Sequence, residues 1–341
     1  MKPRAAKLFN TGDFQKKLLA WYDEHARDLP WRTSCDPYLV WVSEIMLQQT
    51  RVAAVIEHYH QFLKRFPTVQ KLAAARAASV LAAWSGLGYY RRARMLHAAA
   101  KVVARRRNGK FPETSEEWRS LPGIGRYTAA AVASIAFGEA VAVVDGNVER
   151  VVQRLVGSAI SGEQVWESAG RLLDRERPGD FNQAMMELGA TVCTPRAPAC
   201  LTCPVVELCQ ARGELPPLKK SARQKKREIH YALHRRNGSV FLVQRSSDAR
   251  LMAGMWELPE IAGPPAHTQP VITVKHSITV TDYKVNIWLV PPSSDAEGEW
   301  HALERLTKIP LTGLARKVLQ RGGILSASGK TLRSSRLGGQ A

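Results

Sequence analysis

Leu121-Pro122-Gly123-Ile124-Gly125-Arg126-Tyr127-Thr128, followed at once by Ala129-Ala130-Ala131, is the stretch on which the fold turns. Two glycines in a tight loop let backbone N–H groups face outward at the start of a helix, which makes an anion site from the main chain alone. The alanines behind the loop allow that helix to pack closely on the one before it. A bare Gly-x-Gly says little, because most are ordinary turns. The whole string with small residues behind it says more; its plainer reading is a corner between two helices that holds no ligand.

Outward from this loop, the sequence from Phe14 to about Arg212 reads as a succession of helices. Met95, Leu96, Val102 and Val103 fall at helical spacing, and Val148, Val151, Val152, Leu155 and Val156 make a second stripe of the same period. Asp36-Pro37 places an N-cap acid before a proline at the first helical position, just ahead of Val40 and Trp41. Between Arg212 and Arg227 the composition changes to Pro216-Pro217 and seven Lys/Arg against one acid, which reads as a linker. Beyond it the period becomes two. Val240, Leu242, Val271, Val274, Val285, Ile287 and Leu289 alternate among β-branched and polar neighbours, with Asn237-Gly238 as a hairpin signal. Leu311 to Gln320 reads as one closing helix, and the Gly/Ser-rich tail from Arg321 is expected to be disordered. The expected organisation is a mainly α domain over 1–212, a basic linker over 213–228, a small α+β domain over 229–320 and a basic tail over 321–341.

The 341 residues carry 49 Lys+Arg against 30 Asp+Glu, a formal net charge of +19. That length suits two domains, and a chain 45% hydrophobic and 23% charged is composed like an ordinary globular protein. No run approaches the ~20 apolar residues of a membrane span, and Met1 to Asp13 lacks the apolar core of a signal peptide. Membrane insertion and secretion are therefore poor readings, and a reducing cytoplasm is expected. The charge favours a polyanionic partner, most simply nucleic acid, through counterion release; a generally basic proteome is the plainer explanation.

Four of the five cysteines, Cys193, Cys200, Cys203 and Cys209, share one window of the chain. A disulfide framework is disfavoured in a reducing compartment. Structural zinc usually takes two close pairs, whereas only Cys200-x-x-Cys203 is close here. One tight pair with two outliers favours a [4Fe–4S] cluster over zinc, with inert thiols as the remaining alternative. Cys35 stands apart and reads as a buried or half-buried free thiol.

Glu44 lies within Trp41-Val42-Ser43-Glu44-Ile45-Met46-Leu47, inside an apolar helical stripe. A carboxyl group desolvated there has its pKa raised and can hold a proton near neutral pH; a buried Glu–Arg pair is the plainer reading. Asp145 closes the apolar run Val141-Ala142-Val143-Val144 and opens a helix near Asn147, where helix N–H groups should keep it ionised. On its own that is a common cap. Together, one protonated and one ionised carboxyl group make the division of labour that cleaves a glycosidic bond through an oxocarbenium-like state.

The loop at 121–131 resembles the helix-hairpin-helix element of DNA-binding proteins. That element, Asp145 and the four-cysteine window, in this order, resemble the DNA glycosylase superfamily with helix-hairpin-helix and iron–sulfur elements. Within it, Arg27-Asp28-Leu29-Pro30-Trp31-Arg32, Ser43-Glu44-Ile45-Met46-Leu47-Gln48-Gln49-Thr50, Gly86-Leu87-Gly88-Tyr89-Tyr90 and Val144-Asp145-Gly146-Asn147-Val148 look like adenine DNA glycosylases of the MutY type. The resemblance spans most of residues 14 to 211. It implies Glu44 as the general acid, Asp145 stabilising the cationic sugar, and Tyr127 and Asn147 in support. It further implies Arg27, Leu29, Trp31, Arg32 and Gln183 around a flipped adenine, with Gln49 and Tyr89 as wedges in the base stack. Gly123 and Gly125 would hold the DNA backbone, and Cys193, Cys200, Cys203 and Cys209 would hold a structural cluster. The implied substrate is double-stranded DNA with adenine opposite 8-oxoguanine or guanine; the implied protein is a monomer, nucleoid-associated in the bacterial manner.

The related endonuclease III-type glycosylase/lyases use a lysine directly after the hairpin's Gly-Arg. Tyr127 occupies that slot here, and a phenol cannot form a Schiff base, so a monofunctional, water-using enzyme is expected. A non-catalytic iron–sulfur DNA-binding module is a further alternative. Arg250 to Pro259 resembles the entry to a Nudix-type fold. No acid falls between Glu260 and Asp282 to hold the metal of a Nudix hydrolase. In MutY-type enzymes this domain reads the 8-oxoguanine, and this chain departs from the family's Phe-Ser-His there: Ile278-Thr279-Val280 follows His276-Ser277. Thr279 keeps a hydroxyl and is the candidate lesion-reading residue, while the aromatic and imidazole groups are gone.

Overall fold

A computed structural model describes residues 10–213, 225–246, 248–249, 251–278, 281–291 and 296–326. Helices α1 (Thr11–His25), α2 (Pro37–Leu47), α3 (Val52–Arg65), α4 (Val69–Ala74), α5 (Ala77–Ala83) and α6 (Arg91–Arg106) come first. They are followed by α7 (Ser115–Arg119), α8 (Arg126–Phe137), α9 (Gly146–Leu155), α10 (Glu163–Leu172) and α11 (Pro178–Thr191). Side-chain caps set several of the starts. Asp36 accepts from the N–H groups of Tyr38 and Leu39 at 2.8 and 3.1 Å, with Pro37 where no N–H is needed. Asn10 caps α1 and Thr114 caps α7 in the same way. α8 differs, because Gly125 precedes it and no side chain caps its first N–H groups.

The described residues form two compact units; one boundary falls within the stretch 213–228 read as a linker, and two earlier helical stretches also join the C-terminal unit. One unit combines the chain up to Tyr59, Thr68–Gln70 and the stretch from Ala98 through the cysteine window. Its core joins α1, α9, α10 and α11 through Phe14, Leu18, Val151, Val152, Leu155, Val165, Phe181, Met185 and Leu188, all fully buried. Burying each such side chain contributes roughly 1.5–3 kcal/mol relative to leaving it in water. The apolar stripe read on α9 is this face.

The other unit takes His60–Pro67, Lys71–His97 and the sheet region. Its strands are β1 (Lys225–Ala232), β2 (Arg235–Arg236), β3 (Ser239–Gln244), β4 (Trp256–Glu257), β5 (Glu260–Ile261), β6 (Ile272–Ile278), β7 (Thr281–Trp288) and β8 (Glu299–Ala302), followed by helix α12 (Gly313–Arg321). One sheet runs β5-β1-β7-β6, parallel only between β1 and β7; in the second β3 pairs with β2, β4 and β8, all antiparallel. Val274 faces Val285 and Ile229 faces Val285 from the other side, so one face of the sheet is apolar and packs on Leu314, Val318 and Leu319 of α12. Asn237 and Gly238 turn the β2–β3 hairpin with φ of 48° and 69°, the doubly left-handed turn the Asn-Gly signal announces.

Four expectations change. Val271 and Leu289 are 40% and 49% exposed, because each lies one residue beyond its strand, where the pleat no longer assigns a face. Lys225, Lys226 and Arg227, read as linker, are exposed residues of β1 paired in register with Thr281, Asp282 and Tyr283. The tail read from Arg321 starts inside the fold: Arg321 ends α12, and Ile324 and Leu325 are buried in the same core. Cys35 is exposed rather than buried. No helix among the described residues is long and apolar enough to cross a membrane.

Candidate active site

Glu44 sits on α2 with 5% of its surface exposed, in an otherwise apolar helix. α2 packs against α8, which carries Tyr127 in its first turn, and the Tyr127 hydroxyl donates to Glu44 Oε2 at 2.6 Å. Burial pushes the Glu44 carboxyl up to about 7. The hydrogen bond from Tyr127 and the charge of Arg32 pull it back, while the charge of Asp145 pushes it further up. Tyr127 is itself held well above its ordinary range by burial and by the two carboxyl groups, so it remains a donor. Among the described residues no arginine forms an ion pair with Glu44; Arg32 pairs with Glu187 instead.

Asp145 caps α9. Its Oδ1 accepts from the backbone N–H groups of Asn147 and Val148 at 2.9 and 2.8 Å, and its Oδ2 accepts from the Asn147 side-chain amide at 2.9 Å. Three donors thus fix both oxygens of one carboxylate at a helix N-terminus. Asn147 is held in turn by Arg150, whose Nη2 donates to Asn147 Oδ1 at 2.9 Å. Arg150 also donates to the carbonyls of Gly189 at 2.6 Å and Cys193 at 2.7 Å. Gly189 is required where α11 meets this cap: a Cβ there would stand 2.6 Å from Asn147 Cβ and 2.9 Å from its carbonyl oxygen.

The expected pocket residues follow. Leu29 and Trp31 are buried, and Trp31 meets Tyr59 edge-on with ring centroids 5.5 Å apart. Arg27 and Arg32 converge on Glu187 of α11, a residue the sequence reading missed. Arg27 donates through Nε and Nη2 at 2.5 and 2.9 Å, and Arg32 through Nη2 at 2.8 Å. Burial of Glu187 raises its carboxyl, but the two guanidinium groups outweigh this and hold it below its ordinary range. Gln183 lies one helical turn before Glu187 on α11, half-buried. The signal for Glu187 was an acid within the apolar Met185-Met186-Glu187-Leu188; the signal for Arg150 was a cation five residues after Asp145.

Gln49 and Tyr89, the expected wedges, are exposed non-glycine residues with φ of 56° and 47°. Such left-handed backbone is costly for residues with a Cβ and collects at functional sites. Gly123 has φ of 75°, and a Cβ on Gly125 would meet nothing within 4 Å, so the hairpin loop presents an open backbone surface. Arg126 turns away to Glu163 at 2.6 Å and to the Trp166 ring at 4.0 Å. Thr279 lies outside the described residues.

The four clustered cysteines are free thiols. Cys193, Cys203 and Cys209 pack on the core, and burial pushes the Cys203 thiol up to about 11, with Cys193, Cys209 and Cys200 each adding in the same direction. Cys203 is therefore within electrostatic reach of each of the other three. Arg154 Nη1 donates to Cys193 Sγ at 3.2 Å and to the Thr194 carbonyl at 2.8 Å. Among the described residues no three His, Cys, Asp or Glu side chains are gathered tightly enough for a single metal ion. Four thiol donors from one stretch of chain, one close pair and two outliers, would suit an iron–sulfur cluster, which takes one thiolate for each iron. The donor set fits an iron–sulfur group.

Residues 42–172 match the model of the HhH-GPD superfamily base excision DNA repair proteins. The chain is 51% identical over 214 residues to the human adenine DNA glycosylase, covering 58% of this chain and 39% of that protein. It is 32% identical over 260 residues to the adenine DNA glycosylase of Buchnera aphidicola subsp. Acyrthosiphon pisum, covering 72% of this chain and 74% of that one. A thermostable thymine-DNA glycosylase of known structure superposes with a TM-score of 0.56 at 30% identity, over 59% of this chain and 96% of that one. The chain spans about half the length of several curated relatives it matches, 39% of the human and 61% of the rat protein. Matched at this identity across most of the Buchnera protein, with the helical unit of the glycosylase fold around Glu44 and Asp145, the chain belongs to the adenine DNA glycosylase family.

Proposed function

We propose that this protein hydrolyses the N-glycosidic bond of adenine mispaired with 8-oxoguanine or guanine in double-stranded DNA, and that it does so without lyase chemistry. The observation that carries the reading is the buried Glu44, with a pKa of about 7, hydrogen-bonded to Tyr127 and acted on by the charge of an Asp145 pinned at a helix N-terminus. One carboxyl group can hold a proton at neutral pH while the other presents a fixed carboxylate.

The steps balance within these residues. The protonated Glu44 carboxyl gives its proton to a ring nitrogen of the extruded adenine. The bond between that base and the sugar C1′ breaks, its electron pair leaves with the neutral adenine, and the sugar becomes cationic. The Asp145 carboxylate stabilises that charge. Glu44, now ionised, takes a proton from the water whose oxygen bonds to C1′, and is left protonated for the next turnover. Tyr127 orients Glu44 throughout, and Asn147 with Arg150 orients Asp145. Arg27, Leu29, Trp31, Arg32 and Gln183 would surround the base, with the two guanidinium groups held by Glu187.

Gln49 and Tyr89 would wedge the stack open, and the loop at Gly123 and Gly125 would hold the backbone phosphates. Cys193, Cys200, Cys203 and Cys209 would bind a [4Fe–4S] cluster, whose contribution when bound is to cross-link the loop they share. The partner base would be read by the C-terminal unit with Thr279 as the candidate residue, and the protein would act as a monomer. The test is a duplex with a single adenine opposite 8-oxoguanine, incubated with the protein and treated with alkali. Strand breaks at the adenine are expected; none above background would sink the reading.

A further inference from the structure

Helix α12 touches two separate pieces of its unit, the turn at Tyr89 and strand β6. At its N-terminus, the carbonyl of Leu311 accepts from Ser85 Oγ at 3.1 Å and from the Tyr90 hydroxyl at 3.2 Å. Arg316 Nε donates to Ser85 Oγ at 2.9 Å, so Ser85 passes one hydrogen bond on to Leu311 and receives another from the helix. Thr312 caps α12 by accepting from the N–H of Ala315 and donates to Glu257 Oε1, both at 3.1 Å. Arg245 holds the other oxygen of Glu257 at 2.7 Å. Ser85, Leu311, Thr312 and Glu257 are all buried, where an unmade hydrogen bond is costly.

Ser85 and Tyr90 bracket the turn Gly86-Leu87-Gly88-Tyr89, in which Gly86, Gly88 and Tyr89 have φ of 111°, 70° and 47°. Arg92 Nη2 donates to the carbonyls of Leu87 and Gly88 at 3.2 and 3.3 Å, and Trp84 Nε1 donates to Gly88 at 3.2 Å. The turn is thereby fixed at its base while the Tyr89 ring stays 49% exposed, with the Arg92 guanidinium 5.5 Å from its centroid. Along its length α12 lies on β6. Lys317 Nζ donates to the Lys275 carbonyl at 2.6 Å, Arg321 Nη1 donates to the Thr273 carbonyl at 3.1 Å, and a Cβ on Gly313 would stand 4.0 Å from His276 Cε1.

We infer that α12 is a strut that holds the Tyr89 turn in register with strand β6, and that Arg316 is a positioning residue for Tyr89, acting through Ser85. A residue in left-handed backbone persists only when its surroundings over-determine it, and Arg316 of α12 with Leu311 just before it supply that constraint through Ser85 and Tyr90 on either side of the turn. Selectivity for the base opposite adenine then depends on a residue that meets no DNA. The inference rests on the proposed function for the identity of the substrate and for Tyr89 as a wedge.

Two substitutions separate hydrogen bonding from packing. Arg316→Gln places its amide nitrogen where Nε stood and keeps the donation to Ser85; Arg316→Met fills the same space without a donor. Each is given a duplex with 2-aminopurine beside the lesion pair, whose fluorescence rises when a wedge unstacks it, and each is assayed for adenine release opposite 8-oxoguanine and opposite guanine. Arg316→Met and Ser85→Ala are expected to lose most of the fluorescence rise and about tenfold of the preference for 8-oxoguanine, the worth of one buried hydrogen bond. Arg316→Gln is expected to retain both. Unchanged fluorescence in Arg316→Met, or equal loss in Arg316→Gln and Arg316→Met, would overturn the strut. Absence of adenine release by the wild type would instead sink the proposed function, and the fluorescence comparison would still decide the strut.

Discussion

The Tyr127 hydroxyl donates to Glu44 across 2.6 Å, so a buried acid that desolvation would leave largely protonated is held close to neutrality instead. Two opposing forces meet on one carboxyl group. Burial favours its neutral form, and a fixed donor favours its charged form. An acid that must give up a proton and later take one from water works best at such a balance.

The raised Glu44 pKa is also a statement about folding. The folded state binds the Glu44 proton more tightly than the unfolded chain, whose carboxyl lies near 4.5, so this group's contribution falls as pH rises from there to about 7 and then levels off. Glu44→Gln removes that dependence while keeping an acceptor for Tyr127. Relative to wild type, the variant should gain on the order of 3 kcal/mol between pH 4 and pH 8, measured by urea denaturation at both values. An equal difference at the two pH values would contradict the burial argument.

Tyr127 stands directly after the hairpin's Gly-Arg, against the acid that handles the proton. Tyr127→Lys should place an amine where it can attack the sugar once the base has left. Borohydride is expected to trap a protein–DNA adduct with this variant and none with the wild type.

Glu187 is 1% exposed and takes three side-chain hydrogen bonds from Arg27 and Arg32. Glu187→Ala leaves both guanidinium groups without it and should cost roughly 3 kcal/mol of stability at pH 7. The Glu187 pKa is lowered in the folded state, so its contribution is present above the unfolded value and fades in acid. The advantage of wild type over this variant should therefore shrink as pH falls, whereas at Glu44 wild type loses ground to its variant as pH rises.

Arg150 joins the Asn147 amide oxygen to the carbonyls of Gly189 and Cys193, tying the Asp145 cap to the start of the cysteine loop. Arg150→Met breaks all three ties. Single-turnover excision should fall at least tenfold, the worth of one or more lost charge-assisted hydrogen bonds, while duplex affinity in a gel shift changes little. Loss of affinity and rate together would place Arg150 in DNA binding instead.

Much of this site was legible in the sequence because each key residue broke a local pattern. Glu44 was an acid inside an apolar stripe, Asp145 a cap after an apolar run, and Gly123 a glycine where the chain turns left-handed. Glu187, Arg150 and Gly189 were not found, since their roles exist only where α11 meets the start of α9, and no period in one helix records its neighbour. The division into units was hidden for the same reason. Residues 71–97 read as more helix, yet their polar anchors, Ser85 and Tyr90, find partners near residue 311. The boundary read at Arg321 followed the Gly/Ser composition, while Ile324 and Leu325 still fill the core.

The central claim is that Glu44 supplies the proton, and the pH dependence of single-turnover adenine excision tests it most directly. Wild type should lose activity as pH rises through about 7, where the Glu44 proton is lost. Tyr127→Phe removes the donor that lowers this pKa, so its alkaline limb should move to higher pH, and Glu44→Gln should release no adenine at any pH. An alkaline limb that stays in place in Tyr127→Phe, or excision by Glu44→Gln at the wild-type rate, would contradict the account.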